Sequence, residues 1–306
     1  MNNDTMPCHL DVVKFQMILQ RTLHARLDDI HDICLLNAGM TNDSFLFTYH
    51  AQQYIMRVPG EGTHELINRQ YEYDNYQAIK GKQLGEHVLY LDPQTGYKLA
   101  TYLTNARNCN PHDWHDVTRC MAKLRYLHRL QLHVNHTFDL YQYIDKYEAL
   151  WRQASQYDDY QQTKHHIYQL RTFIDKQPHA WVLTHIDANY DNFLFTPTGQ
   201  LRLIDWEYAG MQDPHVDIAM FAIYANYNRQ QIDRLIDSYF EQTCPLPTRI
   251  KIYCYVAICG LLWSNWSEYK RELGVDFGAY ELQQYHYAQH YYQIAEHLIE
   301  EYYGKE

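Results

Sequence analysis

The spacing of hydrophobic residues changes near residue 30 and again near residue 104. Residues 10–27 carry Val13, Met17, Leu19 and Leu23 at roughly helical spacing and predict a first helix. From Ile30 short β-type runs take over, at 33–36, 44–49 and 54–58, with 37–43 joining the first two and His50–Ala51–Gln52 turning between the next. Pro59–Thr63 breaks the pattern, and 64–80 predicts a helix. Runs at 87–91 and 97–103 then predict two more strands around the turn Asp92–Gly96. Residues 30–103 therefore read as a small antiparallel sheet with one helix inserted after the third strand.

After Thr104 the pattern is helical. Trp114, Val117, Met121, Leu124 and Leu127 line one face of a helix over 111–131, and further helices are predicted at 139–155 and 159–176. Asp213–Pro214 is a helix start, a capping side chain followed by proline at the first position. Helices at 214–226, 229–242, 247–269 and 279–303 complete the chain. The expectation is an α+β protein of two lobes: 1–103, with the sheet, and 104–306, mainly helical and carrying the hairpin described next, with a hinge near 102–106.

Two short apolar runs interrupt the helical half, Asn192–Thr196 and Leu201–Asp205, joined by Pro197–Gln200. A short connection containing glycine between matched runs predicts a β-hairpin. Antiparallel pairing would put Asn192 and Asp205 at its open end, with Asp187 just before it and His185 beside them. Two carboxylates and an amide are a plausible Mg²⁺ and general-base set, since Mg²⁺ takes hard oxygen ligands with water and substrate phosphates. The plain alternative is turn chemistry at the ends of a surface hairpin.

Composition narrows the partners. The formal charge of −11, from 26 basic and 37 acidic side chains, argues against nucleic acid, which needs a basic face, and is compatible with a cationic small molecule. Seven scattered cysteines without a CxxC or zinc-type spacing read as reduced thiols of a cytoplasmic protein. No signal peptide is expected at the start, and no 18-residue apolar run predicts a membrane span.

Phosphoryl transfer needs metal ligands, positive charge on the phosphates and a carboxylate for the attacking hydroxyl. Arg57, in an otherwise apolar strand, is a candidate for the second, with Glu72 on the following helix as its partner. The plain alternative has Arg57 exposed on an edge strand and Glu72 paired locally with Arg69; the pair together, in this topology, favours the functional reading. No Walker-type phosphate loop occurs, and no complete GxGxxG follows a strand.

Five segments, in this order and spacing, resemble the choline/ethanolamine kinase family, in particular its bacterial choline kinase branch, and more distantly the aminoglycoside phosphotransferases: AGMTN (38–42), YIMRVPGEGT (54–63), LINRQYE (66–72), HIDANYDN (185–192) and IDWEYAGMQDPHVDIA (204–219). The resemblance implies a protein-kinase-like fold with the nucleotide between the lobes, and ATP and Mg²⁺ as requirements. It implies Asp187 as catalytic base and Asn192 and Asp205 as Mg²⁺ ligands. Arg57 becomes the phosphate-contacting cation held by Glu72, and Gly39, Thr41 and Asn42 belong to the loop over the nucleotide. Asp217 is implied as a brace for the catalytic loop, with His185 structural. Ile186 departs from the asparagine usual in choline kinases.

Trp263 and Trp266, three apart, share a helix face. Tyr280, Tyr285 and Tyr287 follow in the last helix, and an aromatic cage suits a quaternary ammonium. Such stripes are more often core. The resemblance implies that Trp263, Trp266 and Tyr287, with Asn189, Glu207 and Tyr208, line the substrate pocket, and that the small-molecule acceptor is choline. Ethanolamine is the nearest rival, thiamine and aminoglycosides are more distant ones, and a binding module without turnover is the alternative from another class.

Overall fold

The computed structural model describes residues 11–36, 42–60, 63–241 and 243–304. By contacts the chain divides into two compact units, one of residues up to 108 with 193–208, the other of 109–192 with 209–306. Residues 193–208, which hold the hairpin strands, thus group with the sheet, where the sequence reading put them with the helices.

In the first unit a helix, α1 (Val12–Leu23), precedes β1 (His31–Leu36), β2 (Asn42–Tyr49) and β3 (Gln52–Pro59). Helix α1 presents Phe15, Ile18 and Leu19 to the core, while Val13 and Met17 are exposed. The stripe read from the sequence was rotated, because Phe15, Ile18 and Leu19 form the bulkier i, i+3, i+4 set and meet Phe45, Phe47 and Met56 of the sheet. Strands β2 and β3 are joined by His50–Ala51 alone, with Tyr49 opposite Gln52. Both turn residues have positive φ, 46° and 62°, the double left-handed turn whose twist matches that of the strands it joins.

The predicted helix over 64–80 is two helices, α2 (Thr63–Leu66) and α3 (Arg69–Ile79). Asn68 makes the break, since its side chain accepts from the nitrogens of Gln70 and Tyr71 and starts a new helix. Strands β4 (Val88–Leu91) and β5 (Lys98–Thr101) follow, and the antiparallel sheet has the order β1-β2-β3-β5-β4. A short strand, β6 (Arg107–Asn108), joins a second sheet described below.

The second unit is helical: α4 (Trp114–Arg129), α5 (Leu140–Ala149), α6 (Tyr160–Gln169), α7 (Arg171–Ile174), α8 (His215–Tyr224), α9 (Arg229–Phe240), α10 (Leu246–Glu272) and α11 (Tyr280–Tyr303). Residues 250–270 of α10 are all buried, and so are residues 216–223 of α8, so neither has a solvent face to set a polar stripe. Gly260 lets α11 approach α10: a Cβ there would lie 2.7 Å from the Gln284 carbonyl and 2.8 Å from the Ala288 nitrogen. Strand β7 (Val182–Thr184) pairs with β10 (Gly210–Gln212), two strands absent from the sequence reading because three residues are too few to show a period.

Between them in sequence lie β8 (Phe193–Phe195) and β9 (Leu201–Leu203), which form the expected hairpin with Phe193 opposite Leu203; β6 adds a third strand against β8. Gly199 turns it at φ 79°. The Leu203 nitrogen donates to the Leu84 carbonyl and Arg202 to Gln83, and Asn75 of α3 donates to the Trp206 carbonyl, so the hairpin is fixed within the first unit. Among the described residues no helix is long and apolar enough to cross a membrane.

Candidate active site

Asp187 leaves β7 through a turn that costs conformational energy. Ile186 has φ 66°, a left-handed conformation that a β-branched residue rarely adopts. Asp217, in the first turn of α8 and fully buried, offsets that cost. Its Oδ2 accepts the His185 backbone nitrogen at 2.9 Å and its Oδ1 the Ile186 nitrogen at 2.7 Å. Behind it, His128 of α4 lies with Nε2 2.9 Å from Asp217 Oδ2 and Nδ1 2.8 Å from the Tyr239 hydroxyl. His185 is completely buried.

The Asp187 carboxylate is held on each oxygen. Asn192 Nδ2 donates to Oδ2 at 3.0 Å and to the Asp187 carbonyl at 2.9 Å, which turns the Asn192 Oδ1 away from Asp187. The Tyr224 hydroxyl, at the C-terminal end of α8, donates to Oδ1 at 2.5 Å. Asn189 serves the loop itself: its Oδ1 accepts the Asp191 nitrogen and its own nitrogen donates to the Asp187 carbonyl.

Tyr224 opens onto an aromatic circuit. Its ring lies 5.9 Å from Trp263, Trp263 lies 5.6 Å from Trp266 edge-on, Trp266 lies 5.3 Å from Phe277, Phe277 lies 6.2 Å from Tyr280, and Tyr280 returns to Tyr224 at 6.4 Å. These spacings lie within or close to the range of interacting rings. Tyr224, Phe277 and Tyr280 are half-buried. Burial, with the nearby Asp187 charge, pushes the Tyr280 hydroxyl far up, so it stays protonated. Lys270 Nζ lies 6.0 Å from the Trp266 centroid, at the outer limit of a cation–π contact.

Tyr287 is not part of the circuit. It is buried, stacked on Tyr291, and its hydroxyl donates to the Tyr227 carbonyl. Tyr285 stacks on Tyr157 and bonds Asp159 and Thr163. Sequence spacing could not choose among the tyrosines of α11, since they lie on neighbouring faces of one helix. Tyr224 was missed altogether. Its signal is its distance from Asp217: seven residues, two helical turns, and so the same face.

In the first unit the predicted Arg57–Glu72 pair is present and buried. Arg57 Nη1 lies 2.5 Å from Glu72 Oε1 and Nη2 lies 2.7 Å from Oε2, a two-pronged contact. Arg69 Nη1 also reaches Glu72 Oε2, at 2.9 Å, so the local pairing weighed as an alternative exists beside it. Burial opposes the charge of Arg57, but Glu72, Glu207 and Asp205 more than offset it and raise its pKa. Burial likewise opposes the Glu72 charge, and Arg57 overcomes it, bringing the carboxyl down to about 2.

Glu207 joins this cluster. Its Oε2 accepts from Asn42 Nδ2 at 3.0 Å and lies 3.4 Å from Arg57 and 3.3 Å from Arg69. Burial, then Asp205, pushes the Glu207 carboxyl up to about 7. Asn42, expected in the nucleotide loop, is the first residue of β2, and its Oδ1 accepts from Arg69. Gly39 and Thr41 of that loop lie outside the described residues. Tyr208 is buried in the same unit. Asp205 has φ 67° and a partly exposed carboxylate 3.7 Å from Arg57.

Oxygen atoms of Glu72, Asp205 and Glu207 come within 4.8 Å of one another. Hard carboxylate oxygens in such proximity fit Mg²⁺ and would not suit a soft metal. Glu72 and Glu207 are buried against arginines at 2.5 and 3.3 Å, whereas Asp205 is 34% exposed and lies farther from Arg57, at 3.7 Å, so of the three it is the one suited to a cation.

Comparison with known proteins agrees with this geometry. The family model of choline/ethanolamine kinase matches residues 33–243. The chain is 27% identical over 267 residues to Protein LicA of Haemophilus influenzae strain Rd, covering 79% of this chain and 95% of that protein. It is similar to the crystal structure of choline kinase LicA from Streptococcus pneumoniae, with a TM-score of 0.80, 27% identity, and 92% and 99% of the two chains covered. A structure of LicA in complex with AMP is alike at a TM-score of 0.80 and 26% identity, covering 92% and 98%. An antiparallel-sheet unit, a helical unit and the braced Asp187 loop are the features of a protein-kinase-like phosphotransferase that uses an alcohol as acceptor, and the chain belongs to the choline/ethanolamine kinase family.

Proposed function

We propose that the protein transfers the γ-phosphate of ATP to the hydroxyl of choline, in the cytoplasm. The observation that carries this reading is that one side chain, Tyr224, has its ring in the aromatic circuit and its hydroxyl on Asp187. In choline two carbons separate the ammonium from the hydroxyl, so cage and base have to be neighbours. A trimethylammonium is held by ring faces and needs no acceptor. A primary ammonium wants hydrogen-bond acceptors, and the circuit is built of indole, phenyl and phenol rings, which favours choline over ethanolamine. The relative from Streptococcus pneumoniae, described as a choline kinase, supports the same substrate.

In this reading Asp187 accepts the proton of the choline hydroxyl, the oxygen bonds to the γ-phosphorus, and the bond from that phosphorus to the β–γ bridging oxygen breaks, releasing ADP. Asn192, through Oδ1, and Asp205 would hold Mg²⁺, which when bound neutralises charge on the phosphates. Arg57, fixed by Glu72, supplies further positive charge to them. Glu207 serves the Arg57–Arg69 cluster and the start of β2, and Tyr280 and Phe277 join Trp263 and Trp266 around the ammonium.

The test is ADP release with Mg²⁺ and ATP, measured in parallel with choline, ethanolamine, thiamine and kanamycin. Choline should give the highest kcat/KM; higher values with another acceptor would replace choline, and no release with any of them would end the enzyme reading. Asp187→Asn should lose turnover while keeping nucleotide affinity, and wild-type turnover from it would remove Asp187 from its role.

A further inference from the structure

Helix α8 contacts the 185–187 segment at two points. Near its start Asp217 accepts the backbone nitrogens of His185 and Ile186, and at its end Tyr224 donates to Asp187 Oδ1. The two residues are seven apart, two turns of one helix, and residues 216–223 between them are buried. The backbone of the turn and the carboxylate it carries are therefore both referenced to the same rigid element. At 2.5 Å the Tyr224–Asp187 contact has the length of a hydroxyl bonded to an ionised carboxylate. Asn192 holds the other oxygen at 3.0 Å, so rotation of the carboxylate about its last torsion would break both contacts.

The Tyr224 hydroxyl donates to Asp187 Oδ1, and a carboxylate oxygen can accept a second hydroxyl beside it. The Tyr224 ring, meanwhile, is a wall of the aromatic circuit, in contact with Trp263 and Tyr280. We propose that Tyr224 is a positioning residue that aims Asp187 Oδ1 at the aromatic circuit and whose hydroxyl shares that oxygen with the acceptor alcohol when the circuit is filled. A cation without a hydroxyl fills the circuit and leaves the tyrosine–aspartate bond intact. This rests on the reading of Asp187 as base and of the circuit as the ammonium site.

The experiment is a cycle of Tyr224→Phe, Asp187→Asn and the double variant, with kcat, choline KM and nucleotide affinity measured for each. Tyr224→Phe keeps the ring and removes the hydroxyl. It should lower kcat on the order of tenfold, the scale of one hydrogen bond to a charged group, with choline KM changed by less than about threefold and nucleotide affinity unchanged. The double variant should be no slower than Asp187→Asn alone, because the hydroxyl acts through that carboxylate. Tyr224→Leu, which also removes the ring, should raise choline KM in addition.

A wild-type kcat in Tyr224→Phe, an effect confined to KM, a proportional loss of nucleotide affinity, or a further loss in the double variant would each overturn the role of Tyr224. Those outcomes leave the base assignment standing when Asp187→Asn is inactive. Wild-type turnover by Asp187→Asn would overturn both.

Discussion

Asp217 Oδ1 accepts the backbone nitrogen of Ile186 at 2.7 Å, and Ile186 stands at φ 66°. A buried carboxylate thereby stabilises a conformation that isoleucine avoids, and the turn brings Asp187 out of β7 with its carboxylate between Asn192 and Tyr224. Asp217→Ala would leave two buried backbone nitrogens without that acceptor. We expect a loss of about 2–4 kcal/mol of stability in denaturant titration and a fall in kcat of more than about a hundredfold. A variant that kept full turnover would show that the turn forms without its brace.

Glu72 faces two arginines, so its removal isolates charge rather than merely deleting a contact. Glu72→Ala leaves Arg57 and Arg69 buried with Glu207 between them, and Arg57 with the partly exposed Asp205 at 3.7 Å, in place of the two-pronged partner. The expected cost is about 3–5 kcal/mol, read from chemical unfolding, together with a raised KM for ATP as Arg57 loses its fixed position. Arg57→Lys should share the second effect with a smaller first, because an ammonium cannot make the two-pronged contact.

Within one helix Tyr280 belongs to the aromatic circuit proposed for the ammonium, and Tyr287 is buried against Tyr291. Tyr280→Leu should raise choline KM on the order of tenfold, since one ring face is lost from the circuit. Tyr287→Phe removes the hydrogen bond to the Tyr227 carbonyl and should cost about 1 kcal/mol of stability without moving choline KM. Equal effects of the two on KM would contradict the placement of Tyr287 in the core.

Lys251, buried on α10, donates to Asp213 Oδ2 at 2.7 Å and to the Pro178 carbonyl at 2.8 Å, and His215 lies 3.0 Å from Asp213 Oδ1. Burial opposes the Asp213 charge, but His215 and Lys251 hold its pKa far below the usual carboxylate value. A depressed carboxylate contributes stability that is present above its unfolded pKa, about 3.9, and lost as pH falls below it. Burial also lowers the pKa of His215, so acid favours the unfolded chain there too, from about pH 6.5 downward. Lys251→Met should cost about 3–5 kcal/mol at pH 7, and the gap from wild type should narrow below about pH 4 as Asp213 protonates. A gap independent of pH in unfolding titrations would rule out the charge pair as its source.

Gly260→Ala tests the α10–α11 approach. The added methyl would meet backbone atoms of Gln284 and Ala288, which cannot move without shifting α11. About 1–3 kcal/mol should be lost in thermal or denaturant unfolding. An unchanged midpoint would mean that the helices separate at little cost.

The sequence determined most of the elements, though not β7, β10 or the break between α2 and α3, and it singled out candidate residues in short ordered motifs. The β-runs of 33–58, the hairpin of β8 and β9, the Asp213–Pro214 helix start and the Arg57–Glu72 pair were legible because local period, turn residues and a charge inside an apolar strand are local signals. What packs against what was decided by the tertiary structure. The face of α1 that is buried, the choice of Tyr280 over Tyr287 for the circuit, and the bond from Tyr224 to Asp187 depend on where separate helices come to rest. Helices without a polar face, such as α8 and α10, carry no periodic record of which side meets a given neighbour. The double role of Glu72 was open for the same reason, since spacing allowed either arginine and only the packed cluster supplied both.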